Sequence, residues 1–199
     1  PLSHSVGPSA AVQVEIAWTA TLPKVFARTG YAGPFHAVGQ WFPKIGVYEK
    51  AGMRYAVKGA WNCHQFHANT EFYADYGVYD VEIVAPSEFV IGATGVEQST
   101  TVDAQAKRTT HGFHQDDVHD FAWTASPHLI RVERQFEPAR LVAPAELDIT
   151  AKMLGVAPVE LALKPVRMIL LIQPEHRAQI ERHFHATESA LKWFGLWYG

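Results

Sequence analysis

Six side chains able to ligate a metal fall within ten residues of this chain: His111, His114, Asp116, Asp117, His119 and Asp120. Imidazoles mixed with carboxylates suit first-row divalent cations, provided that the geometry converges and outer groups orient the ligands. On an extended strand His111 and His119 would stand about 26 Å apart, so only a folded loop could gather them. The plainer reading is a polar loop and strand edge. His64 and His67, three apart in Trp61-Asn62-Cys63-His64-Gln65-Phe66-His67, invite the same question, and a role beside aromatic rings answers it as well. Glu71, Tyr73, Asp75 and Tyr76 suggest a second chemistry, since paired carboxylates can divide acid and base work on a glycoside. In a strand Glu71, Tyr73 and Asp75 share a face, with the carboxylates two pleats apart. Trp41, Trp61 and Tyr73 suggest a third, a stacking platform for a stand-alone carbohydrate- or peptide-binding β-module. Cys63 is the sole cysteine and forms no internal disulfide; a small buried hydrophobe describes it better than a reactive thiol.

Composition bounds what must position these groups. At 199 residues, 48% hydrophobic and 12% aromatic, the chain can bury a packed core of one good-sized domain, or of one domain and the opening of another. No apolar run approaches the length of a membrane-spanning helix. Seventeen Lys and Arg against 20 Asp and Glu give a formal charge of −3 without a basic stripe, which argues against nucleic acid as a partner. Pro1-Leu2-Ser3-His4 shows no targeting signal, and localisation stays unassigned. The missing initiator methionine, together with the four large rings of Trp193-Phe194-Gly195-Leu196-Trp197-Tyr198-Gly199, leads us to expect a piece of a longer polypeptide.

The periodicity predicts a mainly β fold, a curved antiparallel sheet or β-sandwich over 1–164. Val12, Val14, Ile16 and Trp18 alternate with Gln13 and Glu15; Tyr79, Val81 and Ile83 alternate with Asp80 and Glu82. Further strands are expected over 38–42, 89–93, 100–109, 118–124, 129–136 and 159–163. Near Pro165 the texture changes. The apolar run 166–172 reads as a strand, and Pro174-Glu175 opens a helix over 174–194, with Ile180, Phe184, Thr187, Leu191 and Phe194 as its apolar stripe. The expectation is that 165–199 begins a second, mixed domain.

Taken in order, Val25-Phe26-Ala27-Arg28-Thr29-Gly30-Tyr31, Gly39-Gln40-Trp41-Phe42-Pro43-Lys44, Glu71-Phe72-Tyr73-Ala74-Asp75-Tyr76-Gly77, Ile91-Gly92-Ala93-Thr94-Gly95, Asp120-Phe121-Ala122-Trp123 and Gln173-Pro174-Glu175-His176 resemble the front part of bacterial zinc metallopeptidases of the aminopeptidase N type, the gluzincin aminopeptidases. The resemblance spans nearly the whole chain. It implies a saddle-shaped β-domain over 1–164, then the start of a thermolysin-like catalytic domain, in a parent hydrolase that uses zinc to cleave amino-terminal peptide bonds. The family's H-E-x-x-H and its G-x-M-E-N loop do not occur in this sequence. The implied role is therefore non-catalytic: a domain without catalytic or metal residues or a cofactor of its own that walls the active-site cleft, with the catalytic domain and a peptide substrate as partners. Self-association through the exposed C-terminal rings is also expected. The family's β-domain supplies a glutamine to the substrate's amino-terminal residue, and the resemblance maps that role onto Gln40, whose amide could accept a hydrogen bond from an ammonium group without adding a second full charge.

Overall fold

A computed structural model describes residues 5–7, 9–25, 28–64 and 67–198. The fold is mainly β, built from antiparallel pairs and closed by a long C-terminal helix. Its residues fall into two compact units, one formed by 1–84 with 93–124 and the other by 85–92 with 125–199.

In the first unit, β1 (Gly30–Ala32) and β2 (Phe35–Val38) form a short antiparallel hairpin, with Tyr31 opposite His36. β3 (Val47–Glu49) and β4 (Ala60–Asn62) form a second pair, with Tyr48 opposite Trp61. β5 (Gly77–Pro86) begins here and continues into the other unit, as β6 (Val90–Ala93) leads back. β7 (Val96–Asp103) and β8 (Arg108–Val118) make a long hairpin, and β8 is the middle strand of the order β5-β8-β7. The expected strand 100–109 thus spans a turn. Asp103 Oδ1 accepts the Ala106 amide at 2.9 Å, and Lys107 takes a left-handed φ of 53°, which reverses the chain inside a run of strand-favouring Thr and Val. β9 (Trp123–Ser126) follows. Val38, Val47, Ile83, Phe113 and Phe121 are buried in this unit.

Val12 to Trp18, read above as a strand, forms no ladder; this stretch runs irregularly with both alternating sets exposed. Alternation specifies a strand only where a neighbour supplies the pairing and one face is covered. Residues 71–76 are likewise outside any strand, which removes the shared face proposed for Glu71 and Asp75.

The second unit pairs β10 (Ile130–Phe136) with β11 (Val166–Ile172) over their full length, from Ile130 opposite Ile172 to Phe136 opposite Val166. Pro165 therefore lies inside a compact unit. Between the strands come the short α1 (Pro138–Leu141) and α2 (Pro144–Leu154), which the sequence reading did not anticipate. Proline in the first turn suits α2, and Gly155, with φ of 71°, supplies the left-handed residue that ends it. Where a strand was expected over 159–163, residues 158–161 form a 3₁₀ turn. The predicted helix after Pro174 starts as 3₁₀ over 174–179 and becomes α3 at Ile180–Tyr198. Phe136, Met168 and Phe184 form the buried centre, with Val132, Leu163, Leu170, Ile180 and Leu191 against it. The buried stripe leaves the predicted line near the end of α3: Leu196 is fully buried and Phe194 is exposed. Gly195 lets α3 approach Leu163 closely here, since a Cβ at this position would come within 2.6 Å of Leu163 Cδ2.

Candidate functional site

The segment 39–44 leaves β2 and turns sharply. Thr29 braces the exit: its Oγ1 donates to Ala37 O at 3.3 Å and accepts the Gly39 amide at 3.4 Å. The next residue, Gln40, has a φ of 53°, a left-handed backbone that a non-glycine residue adopts at a cost of about 1–2 kcal/mol. The glutamine read as a strand residue thus stands in a bend beyond the strand's end, which turns its side chain off the pleat. Its Nε2 is buried without a hydrogen-bond partner.

The following residues explain how that bend is held. Trp41 Nε1 donates to Phe121 O at 3.0 Å, and Trp18 Nε1 donates to Trp41 O at 3.3 Å. Around the Trp41 ring stand Trp18, Phe42 and Trp123, with centroids at 6.1, 5.2 and 6.5 Å. Phe42 meets Tyr79 edge-on at 5.8 Å, and Tyr79 and Phe113 both approach the fully buried Phe121. These tilted and edge-on contacts fix ring positions more narrowly than apolar burial alone.

One half-buried ion pair completes the clamp. Lys44 Nζ lies 3.5 Å from Asp120 Oδ2 and 5.9 Å from the Phe42 ring, while Asp120 Oδ1 accepts the Phe121 amide at 2.8 Å. Burial, and next the negative charge of Asp120, raise the Tyr79 phenol above its ordinary pKa, so Tyr79 stays a neutral donor and acceptor at physiological pH. The sequence reading quoted Lys44 and Asp120 in separate motifs and did not join them. The available signal was a single cation set directly after Trp-Phe-Pro, where a charge persists only with a partner.

The other sequence-derived groups disperse. His111 Nδ1 contacts Glu97 Oε1 at 2.7 Å across the β7–β8 hairpin, and His114 Nδ1 contacts Asp80 Oδ1 at 2.6 Å with Asp116 Oδ1 3.4 Å from Nε2. The hydrogen bond to Asp80 comes first among the causes that raise the His114 pKa. The His119 ring neighbours Tyr76, and Asp120 is taken up by Lys44. Among the described residues no three His, Cys, Asp or Glu side chains gather as a metal site requires. The rings of His64 and His67 stand 6.3 Å apart; Gln65 and Phe66 between them lie outside the described residues, as do Phe26 and Ala27 of the first motif. His176 contacts Gln173, and His183 and His185 lie exposed on α3. Cys63 is exposed, contrary to the buried role expected of it.

Glu71 forms a two-pronged pair with Arg28 at 2.5 and 2.9 Å, and the guanidinium lowers its pKa. A glycosidase acid needs the opposite shift. The three rings of the proposed stacking platform each keep different neighbours: Trp41 lies in the clamp, Trp61 against Tyr48, and Tyr73 under Arg54. What the geometry offers at this site is one strained, clamped amide, that of Gln40.

No protein-family model, curated protein or solved structure matches this chain.

Proposed function

We propose that the chain is the non-catalytic β-domain of an aminopeptidase-like zinc metallopeptidase, in which Gln40 meets the amino-terminal residue of a bound peptide. The observation that carries this reading is Gln40 itself: a left-handed backbone and a buried, unpartnered amide nitrogen, held by the Trp41–Phe121 hydrogen bond. Strain and an unsatisfied polar atom persist together where the surroundings over-determine them, and functional contacts are the usual reason. The amide oxygen can accept a hydrogen bond from the ammonium group of a substrate's amino terminus, while the nitrogen is enclosed by the protein itself.

The zinc of the proposed parent does not fit this chain. The sequence has no H-E-x-x-H, and the described residues bring no ligand set together, so we assign no step through the metal. The chain's own contribution is to orient a substrate and exclude water beside it. A catalytic domain of the parent would also cover Trp193, Phe194, Trp197 and Tyr198, all exposed on α3.

An NMR titration tests the reading. A short unblocked peptide should shift the Gln40 side-chain amide and Trp41 indole resonances, and its N-acetylated twin should not. Equal responses to both peptides, or none to either at millimolar concentration, would refute the assignment of Gln40.

A further inference from the structure

The β3–β4 hairpin carries a surface that the proposed peptidase role does not use. Its connection, Lys50–Gly59, folds on itself: Met53 N donates to Lys50 O at 3.0 Å, Gly52 N to Ala56 O at 2.8 Å and Ala56 N to Met53 O at 3.0 Å. This compact turn nevertheless projects apolar groups. Tyr55 is 101% exposed and Val57 96%, and Met53 and Ile45 are exposed as well. Behind them Tyr48 and Trp61, a cross-strand pair with centroids 5.4 Å apart, also remain open to solvent.

The charges around these groups have one sign outward. Lys50, Arg54 and Lys58 are exposed, whereas the local carboxylate, Glu49, is only 12% exposed and faces Arg54 Nε at 3.9 Å. In a chain whose formal charge is −3, this hairpin is a basic island with an apolar tip.

We infer that the hairpin is a peripheral anchor for an anionic lipid surface. Apolar tip residues enter the boundary between headgroups and acyl chains, Tyr and Trp settle at headgroup level, and flanking lysines reach the lipid phosphates. The charge pattern selects this occupant. A second copy of the chain would bring three cations against three cations, and a glycan stacked on Trp61 would need neither Val57 and Met53 nor the lysines. No described helix is long and apolar enough to cross a membrane.

Co-sedimentation of the whole chain with large vesicles tests the proposal, using phosphatidylcholine alone and phosphatidylcholine containing phosphatidylglycerol. Binding should appear with the mixed vesicles, fall as salt is raised, and move Trp emission to the blue. Lys50→Gln and Lys58→Gln should each weaken partitioning about fivefold, and Tyr55→Ser with Val57→Ser should remove it. These side chains are exposed, so circular dichroism and melting of the variants should match the parent chain. The proposal is overturned if the chain ignores anionic vesicles or binds them equally well without Tyr55 and Val57. Sedimentation without vesicles that Tyr55→Ser abolishes would assign the surface to a second copy instead.

Discussion

Gln40 concentrates what single residues can say about this protein. Its φ of 53° costs free energy that glycine would not, so Gln40→Gly should raise stability by about 0.5–1 kcal/mol in urea denaturation, after allowing for glycine's looser unfolded chain. The same substitution removes the amide and should abolish the response to unblocked peptides. Stability gained with binding lost marks a functional residue; stability lost would show that the bend is not strained. His114 provides a second prediction, in pH. Its folded-state pKa lies above the ordinary 6.5 because Asp80 and Asp116 favour the imidazolium. Protonation is then bound more tightly by the folded chain, so the contribution is complete below pH 6.5 and disappears as pH rises through the folded value. The urea midpoint should fall as pH rises above 6.5 through that window, and His114→Asn should flatten this part of the profile. The sequence named both residues, and the resemblance gave Gln40 an expected role, but the surroundings of neither were legible: the Gln40 bend depends on Phe121 eighty positions from Trp41, and Asp80 meets His114 only because β5 lies beside β8.

Among the elements, those with both a period and a partner were the readable ones. β5, β10, β11 and the apolar face of α3 are all visible as alternation, an apolar run or a three-to-four spacing. Val12 to Trp18 shows equally good alternation and has no ladder, because period alone does not provide a neighbouring strand. α2 was missed for the converse reason: its buried residues, Thr150 and Ala151, are too small to print a stripe on the sequence. The joint between β10, β11 and α3 depends most on Phe184, which packs on Phe136 and Met168 and lies under the Arg134 guanidinium at 4.5 Å. Arg134 is itself anchored by Glu181 on α3. Phe184→Ala should cost about 3–5 kcal/mol by denaturant titration. A loss below 1 kcal/mol would mean that α3 is not docked through this residue.

For the molecule as a whole, two units divide the tasks between them without dividing at Pro165. The first holds the Gln40 clamp and the basic hairpin; the second holds the exposed rings of α3. Among the described residues of neither unit do His, Cys, Asp and Glu side chains gather around a metal site. The function proposed above, that this polypeptide recognises a peptide's amino terminus and leaves bond cleavage to another domain, can be tested directly. The direct measurement is mass spectrometry of an unblocked peptide incubated with the purified chain, with zinc added and with chelator. The account predicts intact peptide in both mixtures; release of the amino-terminal residue that chelator stops, and that fails when Gln40 is replaced by alanine, would contradict it.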